Sequence, residues 1–136
     1  MANSERKKLN REERRSLDIE IDFLARLTRR APDYVEALEV LAHDYTLRGR
    51  YADGLQVDER LANLRPENPL VHYNLACSYA LTDQPELAFE SLNRAIDRGY
   101  REFRWLARDP DLATFRKHPL YRKLRGRIRA MQVPVD

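Results

Sequence analysis

Apolar residues along this chain recur three and four positions apart, the spacing of one face of a helix. Leu17, Ile21, Leu24 and Leu27 form one such stripe, and Leu38, Leu41, Ala42 and Tyr45 form another. The run YNLACSYAL, Tyr73 to Leu81, carries no charge at all and reads as a buried core helix. Between the stripes stand breakers. RGRYADG offers Gly49, which can take the positive φ that a helix end often needs. RPENP stops the pattern again, and TDQPE places Pro85 where a first helical turn tolerates it, its missing N–H having no partner there anyway. RGY supplies Gly99 as a further cap. The pattern predicts helices ending near Arg30, then over about 51–64, 70–81 and 86–97. Ser16 can cap the first of these, or the helix can run back through REERRS.

The stripes repeat at a constant offset. Leu41-Ala42 aligns with Leu75-Ala76, as do Tyr45 with Tyr79, Leu47 with Leu81, Gly54 with Ala88, Leu55 with Phe89 and Leu61 with Ala95. One more step back sets Leu61 on Leu27 and Pro66 on Pro32, so a half repeat precedes the two full ones. Beyond Tyr100 the pattern fails and a nine-residue echo replaces it. LARDPDL and FRKHPLY align Leu106 with Phe115, Asp109 with His118, Pro110 with Pro119 and Leu112 with Tyr121. Proline at a helix start between apolar residues predicts short helices joined by tight turns.

A fixed period of about 34 residues is a signature of stacked helical hairpins. With Leu38, Leu41-Ala42, Tyr45, Gly49, Tyr51, Gly54, Leu61 and Pro66 in the first copy and His72, Leu75-Ala76, Tyr79, Ala88, Leu92, Ala95 and Tyr100 in the second, the chain resembles the tetratricopeptide repeat (TPR) family. GYREFRWLARDPDLATFRKHPLYRKL resembles the tail that closes many bacterial members. The resemblance covers about 17–124. Three positions depart from it: Asp58 stands where a large apolar residue is usual, Asp83 replaces the turn glycine, and Tyr100 replaces proline. The resemblance implies an all-α fold, a short right-handed α-α superhelix of about two TPR hairpins with an N-terminal helix and C-terminal capping helices. The expected organisation is a charged, fraying segment at 1–16 and one domain at 17–132. Within that domain the N-terminal helix takes 17–31, the repeats 35–68 and 69–102, and the cap 103–132; a tail of 133–136 comes last.

Composition fits helices with solvated outer faces: 43% of residues are hydrophobic and 35% charged, with only 4 Gly. The net charge of +3 is unevenly laid out. Residues 1–16 carry six basic and three acidic side chains (+3), 17–100 nine and fifteen (−6), and 101–136 ten and four (+6). An acidic middle and a basic end exclude the uniformly cationic surface that the pI of 9.2 would suggest. Cys77 is the single cysteine, so neither an intramolecular disulfide nor a cysteine-based zinc site can form within one chain. The first sixteen residues hold no apolar stretch of the kind a secretory signal needs, and no run reaches the length of a membrane span. The expected location is cytoplasmic.

In the resembling family the first helix of each repeat faces a groove. Carried over, the groove positions are Glu36, Glu39, Val40, His43 and Leu47, then Leu70, Tyr73, Asn74, Cys77 and Leu81. Asn74 matches an asparagine with which chaperone-binding members hold a C-terminal carboxylate, but the basic partners of that clamp are replaced by Glu36 and Glu39. The groove is therefore expected to favour a segment with basic or apolar groups. The competing surface is Arg116 to Arg129, a basic amphipathic helix whose Arg116, Lys117, Arg122, Lys123, Arg125, Arg127 and Arg129 could meet nucleic acid or an anionic membrane, while Leu120, Leu124 and Ile128 line its other side. His43, His72 and His118 have no metal-site spacing, Asp109 and Asp111 flank Pro110 as a helix start would, and no phosphate loop or nucleophile motif occurs. No metal, cofactor or catalytic residue is expected. The function read from this is non-enzymatic protein–protein interaction, as an adaptor, scaffold or assembly factor binding a peptide or partner helix in the groove. Polyanion binding through the basic helix is the first alternative, and self-association into a homo-oligomer the second.

Overall fold

A computed structural model describes residues 8–132, and among these the fold is all-α, with no strand. The N-terminal residues 1–7 and the expected tail at 133–136 lie outside the described residues. Helix α1 spans Arg11–Arg30, α2 Val35–Arg48, α3 Tyr51–Leu64, α4 Pro69–Leu81 and α5 Pro85–Asp97. A single turn, α6 (Phe103–Leu106), leads through two 3-10 turns, Pro110–Leu112 and Phe115–Lys117, into α7 (Pro119–Met131). Each of the first five helices packs chiefly on its neighbours in sequence, which makes α2–α3 and α4–α5 two successive hairpins. The second hairpin restarts one full period after the first, at both of its helices: α2 begins at Val35 and α4 at Pro69, α3 at Tyr51 and α5 at Pro85.

Helix α1 takes the longer of its two expected forms. Asn10, not Ser16, is its cap: the Asn10 side chain accepts from the Glu13 amide at 2.8 Å and the Glu13 carboxylate accepts from the Asn10 amide at 2.9 Å. This reciprocal pair satisfies two of the orphan donors at the helix start and carries the helix through the charged run. Ser16 is exposed within it. Downstream, Gly49 (φ 82) and Asp83 (φ 60) both take the left-handed conformation that ends a helix, so the residue replacing the turn glycine keeps the glycine's backbone.

The core falls into two clusters. Ile21 and Leu24 of α1, Leu38, Leu41 and Tyr45 of α2, and Val57 and Leu61 of α3 form the first. Ala76, Cys77 and Ala80 of α4, Ala88, Leu92, Ala95 and Ile96 of α5, and Leu106, Leu112, Phe115, Leu124 and Ile128 of the C-terminal part form the second. Ala76, Ala88 and Ala95 are fully covered, and their size lets α4 and α5 approach closely. The two clusters are tied by side chains of α3 and α4: Ser78 donates to Asp58 at 2.5 Å and Tyr79 to Glu59 at 3.1 Å.

The nine-residue echo corresponds to two equivalent caps. Asp109 accepts from the Asp111 amide at 3.0 Å to start the first 3-10 turn, and Nδ1 of His118 accepts from the Leu120 amide at 3.1 Å to start α7. Leu106 before them and Leu112 and Phe115 between them are buried. Helix α7 docks its apolar side inward, with Leu124 covered, and Arg127 anchors it to α5 through Asn93 and Asp97. No helix among the described residues is long and apolar enough to cross a membrane.

Candidate functional site

Helices α2 and α4 and the segment around Asp109–Asp111 enclose a cleft of about 240 Å³. Ala42, His43 and Thr46 line it from α2, Asn74, Cys77 and Ser78 from α4, and Asp58 from α3. Trp105, Asp109, Pro110 and Asp111 close it from the C-terminal side. Among the described residues, three carboxyl groups and no Lys or Arg face this space. Helical spacing explains the first two walls: His43 and Thr46 are one turn apart on α2, as are Asn74, Cys77 and Ser78 on α4.

The sequence-derived groove list divides here. Glu36, Glu39, Val40 and His43 on α2 and Leu70 and Asn74 on α4 are exposed, and Leu47 and Leu81 are half-buried. Of the exposed residues, only His43 and Asn74 line the cleft. Tyr73 is buried and does not line the cleft, so the expectation that it meets a ligand is corrected; Cys77 is nearly as buried but still lines the cleft. The chain's own return covers them. The Tyr73 hydroxyl donates to Asp109 at 2.6 Å, its ring stacks on Tyr100 at 4.4 Å, and the Cys77 thiol lies 3.8 Å from the same Asp109 oxygen. Burial pushes the Tyr73 hydroxyl and the Cys77 thiol far up, which keeps both as proton donors to Asp109 and leaves Cys77 unreactive as a thiolate.

Sequence reasoning missed Trp105, Asp109, Asp111, Ser78 and Asp58 as members of this site. Asp109 was legible as a cap but not as the buried partner of a tyrosine 36 residues away. Asp58 was legible only as a departure from the repeat. It is buried, accepts from Ser78, and burial pushes its carboxyl up to about 6. The ligand atoms of Cys77, Asp109 and Asp111 lie within 4.8 Å of one another, a grouping that could hold a metal ion. The hydrogen bonds already present there satisfy Asp109 from Tyr73, Cys77 and the Asp111 amide, so the cluster is held together without an ion.

The residues of the basic surface also divide. Arg127 is committed to Asn93 and Asp97, and Arg116 donates to the Leu106 carbonyl at 3.0 Å. These two serve the cap, and the expectation that they face a polyanion is corrected for them. Lys117, Arg122, Lys123, Arg125 and Arg129 are exposed.

Among curated proteins the chain is similar to a chloroplastic protein of Arabidopsis thaliana, at 32% identity over 76 residues. The match takes in 54% of this chain and 23% of that protein, so the chain spans about a quarter of its relative's length. No family model matches the chain, and no solved structure matches it.

Proposed function

We propose that this chain is a non-enzymatic protein-interaction module of the tetratricopeptide type, which takes a partner segment bearing Lys or Arg and apolar side chains along α2 and α4. The cytoplasm, or an organelle interior as the chloroplastic relative suggests, is its place of action. The observation that carries the reading is the acidic, cation-free cleft between α2, α4 and Asp109–Asp111, continued by exposed Glu36, Glu39, Val40 and Leu70. The regular offset between the two hairpins supports the family assignment. Asn74 is exposed at the cleft edge and offers both a donor and an acceptor to a peptide backbone. Trp105 is exposed, and its ring face suits a cationic side chain.

Selection of a displayed random-peptide library on the immobilised protein tests this. Enriched peptides should carry Lys or Arg beside apolar residues. Reversal of both Glu36 and Glu39 to Lys should weaken them by about tenfold at low salt, and less as salt rises. Asn74→Ala should weaken them by roughly 1–3 kcal/mol through loss of a hydrogen bond that binding buries, without changing the melting temperature. Enriched peptides that bind both variants like wild type would overturn the proposal.

A further inference from the structure

The C-terminal cap has a second cleft, of about 330 Å³, between α6 and α7, on chemistry opposite to the first. Its lining includes Leu106 and Ile128, which are buried, and Phe103 and Tyr121, which are half-buried, so its inner part is apolar. Arg104, Arg125 and Arg129 complete it, and all three are exposed. They come from two elements separated in sequence, and among the described residues no carboxylate lines the space. Among the described residues no acid pairs with any of the three, whereas Arg127 on the same helix is fully engaged with Asp97 and Asn93. The Arg125 guanidinium lies 5.9 Å from the centre of the Tyr121 ring, which holds it over the cleft wall.

A cap that served only to cover the last hairpin would need the apolar side of α7 and the Arg127 anchor. It would not need three uncompensated guanidinium groups around an apolar hollow, because like charges so placed repel one another. We infer that this cleft is a binding site for an acidic segment of a partner protein, in which a carboxylate meets the arginines and an adjacent apolar side chain fills the space between Phe103, Tyr121 and Ile128. Three features favour this partner over a polyanion. All three cations are arginines, whose planar forks match a carboxylate with two parallel hydrogen bonds. The hollow is apolar at its base, lined there by Leu106 and Ile128, which a phosphate chain would leave unfilled. The rings of Phe103 and Tyr121 are already packed edge-on against Tyr100 and Phe115, so neither offers a free platform for stacking bases. An anionic membrane is disfavoured too, because Leu124 of α7 is covered in the core and Ile128 lies at the base of the cleft, so these two residues form no outward apolar stripe for a bilayer. This site stands apart from the α2–α4 cleft and does not depend on it.

The test is fluorescence anisotropy with a labelled short peptide of alternating Glu and Leu, beside one of alternating Glu and Ser, a single-stranded oligouridine, and vesicles containing phosphatidylserine. Two double variants are compared: Arg104→Glu with Arg125→Glu, inside the cleft, and Arg122→Glu with Lys123→Glu, exposed on the same helix but outside its lining. Their net charges are equal, and circular dichroism melts check that both fold. The Glu-Leu peptide should bind saturably and lose about tenfold or more in the cleft variant and little in the control. The Glu-Ser peptide should bind more weakly than the Glu-Leu peptide. Equal losses in the two variants, equal binding of both peptides, tighter binding of oligouridine or vesicles, or no saturable binding of the Glu-Leu peptide would each overturn the inference.

Discussion

The two hairpins present the same helix positions to opposite fates. Glu39, Val40 and His43 of α2 are the repeat counterparts of Tyr73, Asn74 and Cys77 of α4. All three in the first copy are exposed, while in the second only Asn74 is. Backbone geometry is not the cause, since both helices start in register. The difference lies in the element that comes after each hairpin. The first leads into another hairpin, which packs on its side and leaves the inner face of α2 open. The second leads into the return through Trp105, Asp109 and Phe115, which lies across the face of α4. Repeat position sets the direction in which a side chain points; the next element in the stack decides whether it meets solvent. Alignment of a groove position therefore fixes its place on the helix but not its exposure, which differs between the uncovered repeat and the one beside the cap.

The strongest way to break this comparison is to loosen the cover. Phe115 is 2% exposed and fills the second cluster between α4, α5 and α7. Phe115→Ala should destabilise the protein by about 3–5 kcal/mol, from lost apolar burial plus the cavity left behind. Cys77 reports the opening directly, because it is the only cysteine and is buried under Asp109. Its reaction with a thiol reagent should accelerate strongly in the variant under native conditions. A variant destabilised to this extent whose Cys77 stays as protected as in wild type would show that the return does not seal α4.

The fold was largely legible in the sequence because each of its signals is local. The stripe of Leu17 to Leu27, the breakers at Gly49, Pro66, Pro85 and Gly99, and the paired Pro110 and Pro119 all mark features set by nearest neighbours along the chain. Asp83 shows the limit of residue identity within that: a non-glycine holds the left-handed turn, so the period located it and the residue type argued against it. The site was less legible for a physical reason. Tyr73 meets Asp109 across 36 residues, and Ser78 meets Asp58 across 20. Both contacts depend on how far one element folds over another, which neither periodicity nor cap chemistry encodes. The charge blocks pointed to an acidic middle and a basic end. They could not tell Arg127, spent on Asp97, from Arg125 two residues earlier.

A second test exploits a core position where one hairpin buries a carboxyl and the other an apolar side chain. Asp58 is buried in α3, and Leu92 occupies its counterpart in α5 with no exposure. Burial raises the Asp58 carboxyl from its usual 3.8 to about 6. Between these values the folded protein holds the proton more tightly than the unfolded chain does. Its stability contribution is thus complete below about pH 4, falls as pH rises, and is lost above about pH 6. A shift of that size corresponds to about 2–3 kcal/mol. Asp58→Asn keeps an acceptor for the Ser78 hydroxyl and removes the titration. Denaturant unfolding should therefore show variant and wild type close together near about pH 4, with the variant ahead by about 2–3 kcal/mol at neutral pH. A difference that does not change with pH would mean that the Asp58 carboxyl titrates in the fold as it does in the unfolded chain.

The smallest expected effect concerns the turns, where the hairpins differ in residue but agree in backbone. Gly49 and Asp83 occupy equivalent places at φ 82 and φ 60. A Cβ at Gly49 would have nothing within 4 Å, so any substitution there acts through the backbone alone. Aspartate is among the side chains that tolerate this region best, which limits the strain stored at Asp83. Glycine relieves that strain but frees the unfolded chain as well, and the two effects partly offset one another. Asp83→Gly should accordingly stabilise by no more than about 1 kcal/mol, and Gly49→Asp should destabilise by a similar amount. Gly49→Ala should lose somewhat more, since alanine has no polar group to settle the left-handed turn. Matched denaturant curves for the three variants measure this. Opposite and nearly equal shifts at Asp83 and Gly49 would make the two turns interchangeable. A loss at Asp83→Gly would mean that the aspartate side chain supports its turn through contacts that the first hairpin lacks, and the equivalence would end at the backbone.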